Sequence, residues 1–107
     1  MLLSRNVVQV MQMLQLYQAE IARILGLHCG DVAALAQARS RLEPGTPAWD
    51  RARLLVRGYR ALHRRCDGDG QAMYHWLHRE LPGFDATPHR LLVDEQALAA
   101  VVDYLER

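Results

Sequence analysis

With 107 residues, the chain is sized for one modest domain or two small ones sharing a core, and folding should bury roughly two thirds of the unfolded chain's surface. An apolar share of 50% argues against disorder, and no apolar run approaches the ~18 residues that a membrane span requires. The formal net charge of +1 conceals an uneven spread: residues 1–47 carry four arginines against three acids, 48–70 six against three, and 71–107 three against six.

Met1 to Asn6 lacks the cationic start, apolar block and cleavage site of a secretory signal, so the chain is expected to be cytoplasmic. Cys29 and Cys66 have no CxxC partner and are expected to be buried small hydrophobes in a reducing compartment. The first predicted element starts at Ser4 as a candidate cap, with Val7, Val10, Met11 and Leu14 at i, i+3, i+4 and i+7 and Gln9, Gln12 and Gln15 between them. No Gly or Pro separates Leu14 from Gln18. Tyr17 stands where a capping hydroxyl would be expected, so the first two helices are predicted to run together and Glu20 to lose its capping partner.

Gln18 to Gln37 has the spacing of a helix-turn-helix: small Ala22 for close approach, Gly26 for the turn, Val32 to anchor the second helix, and Ile21, Leu25, Leu27 and Leu35 as filling. Its groove-facing positions would be His28, Cys29, Gly30, Ala33, Ala34 and Gln37, of which only His28 and Gln37 can hydrogen-bond a base edge well. Gln18, Arg23, Arg39 and Arg41 are the candidate phosphate contacts, which position a duplex without specifying its sequence.

Arg39 to Gly45 loses periodicity and reads as a linker. Thr46-Pro47, with Asp50 in the first turn, starts a helix predicted to reach about Arg65, with Trp49, Ala52, Leu55, Val56, Tyr59, Leu62 and His63 as its inner stripe. Another face carries Arg53, Arg57, Arg60 and Arg64 at i, i+4, i+7 and i+11. That stripe fits three accounts: a solvated face, a grip on phosphates or an acidic partner, and internal pairing with Asp94, Glu95, Asp103 or Glu106. Asp67-Gly68-Asp69-Gly70 is too short a carboxylate ladder for calcium and reads as a turn. His63, Cys66, His75 and His78 have zinc-like spacing, but His75 and His78 flank Trp76 on the outer face of a short helix. The four should therefore not converge, and neither a metal nor a cofactor is expected.

After the loop Leu81-Pro82-Gly83-Phe84, Thr87-Pro88 starts a short helix through Leu92. Asp94 is a candidate cap for the last helix, whose inner face is Leu98, Val101, Val102 and Leu105 with Tyr104 nearby. No nucleophile with a base, phosphate loop or carboxylate pair in an evident cleft is present, so an enzyme is not expected and no catalytic residue is assigned.

In order along the chain, Leu42-Glu43-Pro44-Gly45 before Trp49, the run Leu54 to Leu62, Gly68-Asp69 before Trp76-Leu77, Pro88 before Leu91-Leu92, and Val102-Asp103-Tyr104-Leu105 stand in register. Together these resemble the toxin-binding domain of the Xre/MbcA/ParS antitoxins, and Gln18 to Gln37 resembles the Xre-type half of that family. The resemblance implies an all-α fold of about seven helices, with a helix-turn-helix region at 1–41 packed on a toxin-binding domain at 42–107. It implies a homodimeric antitoxin that blocks a RES-domain toxin, an NAD-consuming enzyme, and binds its own operator DNA. The toxin-facing residues it points to are Arg90, Asp103, Tyr104, Leu105, Glu106 and Arg107, with Trp76, Pro88 and Leu91 structural. The alternative is a stand-alone DNA-binding regulator on the same architecture.

Overall fold

The computed structural model describes residues 3–107. Among these residues seven helices follow one another, α1 Leu3–Met13, α2 Gln18–Leu25, α3 Cys29–Ala36, α4 Pro47–Arg65, α5 Gly70–Leu77, α6 Pro88–Val93 and α7 Leu98–Glu106. The expected all-α fold is the observed one. The only extended pairing among the described residues is a bridge between Leu81 and Ala86. Among those residues no helix is long and apolar enough to cross a membrane.

The spine is α4. The Thr46 hydroxyl accepts from the Trp49 N–H and Pro47 occupies the first helical position, so the start is fixed where the sequence placed it. One side of α4 packs on α1 and α2, and another on α5 and α7. Its buried residues are Ala52, Leu55, Val56, Gly58, Ala61 and Leu62, while Trp49 and Tyr59 are half-buried. His63 is exposed and is no part of the expected inner stripe: the helix turns it out toward Gly68, against whose backbone its ring lies.

Two glycines are set by the fold, Gly26 by its left-handed backbone and Gly58 by close approach. Gly26 takes φ +74°, and the Arg51 guanidinium lies over it, donating to the Leu25 carbonyl at 3.3 Å and so closing the end of α2 from α4. Gly58 lets α7 settle on α4, since a Cβ there would stand 2.8 Å from Cγ2 of Val102.

Four expectations are corrected. The first two helices do not run together: Gln15 adopts φ 56°, the Leu16 N–H donates back to the Met11 carbonyl at 2.9 Å, and Tyr17 is extended. That is a glycine-free left-handed stop, and the carboxylate of Glu20 still accepts from the Tyr17 N–H at 2.8 Å, which supplies half of the capping arrangement expected to be missing. Ser4 lies within α1, and its hydroxyl instead accepts from the Leu42 N–H at 2.9 Å, tying the linker to the first helix. Cys29 is exposed and Cys66 only partly covered, because Cys29 opens α3 on its solvent side. Asp94 ends α6, and α7 begins after Ala97 without a side-chain cap.

Candidate functional site

The carboxyl-terminal site is built on α7, which Leu98, Val101, Val102 and Leu105 hold against the core. Asp103, Glu106 and Arg107 consequently face outward, and Tyr104 sits between the two environments. Its ring lies 6.5 Å from that of Trp76 and meets the edge of Phe84 at 6.1 Å. The guanidinium of Arg65 stands 5.7 Å from the ring centre, and that of Arg107 5.9 Å from it. A cation close to an aromatic ring is favoured by the ring quadrupole, and the half-buried rings of Tyr104 and Phe84 reach the surface beside these two guanidinium groups. Arg107 is steadied by Asp103, one turn earlier, at 3.2 Å.

Beside this cluster Glu106 receives a two-pronged grip from Arg57 at 2.8 and 2.6 Å. This realises the internal pairing that the arginine stripe allowed. The hydrogen bonds from Arg57 hold the Glu106 carboxyl below its ordinary value, against a smaller opposing effect of burial, and the same contact raises the pKa of Arg57.

Of the toxin-facing candidates, the structure brings Asp103, Tyr104, Glu106 and Arg107 to one end of α7. Leu105 is 8% exposed and lies inward, so it anchors this end of the helix. Arg90, on α6, turns to Glu95 at 3.5 Å. Trp76, Pro88 and Leu91 are buried, as suits a structural role. Arg65 and Phe84 were not singled out from the sequence. Phe84 is the sole phenylalanine of the chain, which was a signal, but only the loop closed by the Leu81–Ala86 bridge carries it to Tyr104.

The second group lies on the amino-terminal helices. Gln18 opens α2 on an exposed face. Arg23 bends toward α6, donating to the Val93 carbonyl at 3.1 Å and standing 3.8 Å from Asp94. His28 precedes α3 and its N–H donates to Asp31 at 3.1 Å. Gln37 ends α3 and accepts from Arg39 at 2.7 Å. Arg39 and Arg41 come together with Arg5, Ser4, Ser40 and Val8 around a cleft of about 400 Å³. Gly30 falls in the first turn of α3, where it costs the helix little.

The histidines and cysteine with zinc-like spacing are dispersed. His63 stays beside Tyr59, while His78 stacks on His89 at 4.9 Å. His89 in turn pairs with Glu20 of α2 at 2.5 Å, a polar tie between the two halves of the chain. Burial, together with the Asp69 carboxylate, pushes the Cys66 thiol up, which keeps it protonated.

The family model for the antitoxin Xre/MbcA/ParS C-terminal toxin-binding domain matches residues 60–107, from the second half of α4 to the end of α7. No curated protein matches the chain.

Proposed function

We propose that the chain, whose residues 60–107 match the model of the antitoxin Xre/MbcA/ParS C-terminal toxin-binding domain, is the antitoxin of a type II pair and restrains a RES-type, NAD-consuming toxin by obstruction. The observation that carries this is the coincidence of the matched segment with the Tyr104 cluster, which lies wholly within it. Asp103, Tyr104, Glu106 and Arg107 are the contact residues, with Arg65 and Phe84 completing the face and Arg90 at its margin. Leu105 supports that face from behind. Inhibition of this kind needs a surface and no chemistry. The same reading includes a homodimer.

Buried aromatic and arginine anchors dominate most interfaces. Replacing Tyr104 with alanine is therefore expected to cost about 2 kcal/mol of toxin binding, roughly thirtyfold in Kd, without altering helix content. The direct experiment co-expresses the chain with a RES-domain reading frame from its own gene neighbourhood, scoring growth and recovery of a complex. Failure of the two proteins to associate at micromolar concentration would remove the proposal.

A second reading, operon autoregulation or a stand-alone DNA-binding regulator, is supported by the cleft that Arg39 and Arg41 share with Arg5. Operator binding would use Gln18, His28, Gln37, Arg39 and Arg41. Arg23 is committed to α6. A sequence preference that disappears on replacing His28 and Gln37 is the result this reading requires.

A further inference from the structure

Two clefts flank the exposed ridge of α1, and arginines line both. On one flank lie Arg39 and Arg41 with Arg5 at the crest. On the other, a cleft of about 570 Å³ between α1 and α4 is lined by Arg53, Arg57 and Arg60 beside Leu3, Asn6 and Leu54. Six guanidinium groups thus border the first two turns of one helix, and Asp50 is the sole carboxylate in either lining. Arg57 is neutralised by Glu106. Among the described residues, Arg5, Arg41, Arg53 and Arg60 have no carboxylate within ion-pair distance.

Helix α3 is poorly furnished for a groove by comparison, for its exposed positions His28, Cys29, Gly30, Asp31 and Gln37 include no cation and one acid. A helix of ordinary diameter, ~10–12 Å, is about as wide as the major groove of B-form DNA. A ridge of that width between two cation-lined clefts matches a groove between two phosphate strands. The polar crest of α1, Arg5, Gln9 and Gln12, is exposed along its length.

We propose that this chain binds double-stranded DNA through its phosphate backbone, with α1 turned to the duplex, the arginines of the two flanking clefts on the two strands, and α3 off the DNA. The proposal goes beyond toxin neutralisation and does not depend on it. Binding of this kind is indifferent to sequence and steep in salt, because each neutralised phosphate releases counterions.

The test uses the full chain and a labelled duplex of about 20 base pairs in random sequence, titrated by fluorescence anisotropy between roughly 50 and 200 mM salt. Arg53→Gln with Arg60→Gln is expected to flatten the slope of log K against log salt by about 1.8, that is ~0.9 for each phosphate no longer neutralised. Adding Arg5→Gln should flatten it further. Cys29→Trp, which crowds the exposed start of α3, should leave both affinity and slope unchanged. These side chains are exposed, so circular dichroism and the melting temperature should confirm that each variant folds. Three results would overturn the proposal: no duplex binding at the lowest salt, a slope that the arginine variants leave intact, or binding abolished by the α3 variant. If the arginine variants spare DNA and instead abolish a complex with the toxin, the belt serves an acidic protein face. If the toxin fails to bind while DNA behaves as expected, the toxin reading falls and this one stands.

Discussion

The contact between Arg57 and Glu106 joins residues 49 apart in sequence and sets how the end of α7 responds to acid. Glu106 has its pKa lowered by Arg57, so its contribution to stability is present above the ordinary carboxylate value and is lost as pH falls through the lower folded value. Glu106→Gln is therefore expected to lower the melting temperature at neutral pH. The gap to the parent should close as the pH drops below about 4. Melting curves across that range check it, and a gap independent of pH would mean that the pair is screened into irrelevance. At Gly58 the governing effect is space. Gly58→Ala gains up to ~1 kcal/mol of helix propensity but drives a methyl into Val102, an overpacking cost of about 1–3 kcal/mol. A net loss of up to ~2 kcal/mol is expected, part of which Val102→Ala should recover in the double variant. Denaturant titration of the four proteins gives the coupling directly.

At the scale of the helices, one device recurs. Helices α1, α2, α3 and α4 each end with a left-handed residue, Gln15, Gly26, Ala38 and Asp67. In each case the N–H of the following residue donates to the carbonyl five residues earlier: Leu16 to Met11, Leu27 to Ala22, Arg39 to Ala34 and Gly68 to His63. Only one of the four left-handed positions is glycine, and an L side chain costs ~1–2 kcal/mol in that conformation. This explains why the boundary after α1 was invisible in the sequence while the one after α2 was plain. Ala38→Gly should stabilise the chain by about 0.5–1 kcal/mol, the relief of strain less the added freedom of the unfolded glycine. Chemical unfolding measures it, and a loss on this substitution would mean that the Ala38 methyl makes contacts worth more than the strain. Ala38→Gly takes one methyl and no charge from the lining of the arginine cleft, so duplex binding should be retained.

At the scale of the molecule, the core is continuous. Val7, Val10, Ile21 and Leu25 from the first helices and Met73, Leu77, Val101 and Leu105 from the last belong to one buried cluster, with α4 between them. The two segments distinguished in the sequence, 1–41 and 42–107, share that core and are tied again by Glu20 to His89 and Arg23 to Val93. A single cooperative transition is expected, with calorimetric and van't Hoff enthalpies equal. Two resolved transitions would mean that the halves melt independently.

The sequence by itself determined the helical class, the start of α4 at Thr46-Pro47 and of α6 at Thr87-Pro88, and the apolar stripe of α7. These are local matters, decided by proline geometry, a hydroxyl within three residues and a 3.6-residue period. It also carried the antitoxin resemblance, because motif order is a property of the chain. The tertiary structure alone decided that Asp94 would end α6, that Ser4 would hold Leu42, and that Tyr104 would lie close to Arg65, Arg107 and Phe84. It alone brought Arg5, Arg39 and Arg41 to one flank of α1 and Arg53, Arg57 and Arg60 to the other. Each of these depends on how helices distant in sequence are set against α4, and that arrangement follows from the packing of the whole core, which no local window of residues contains.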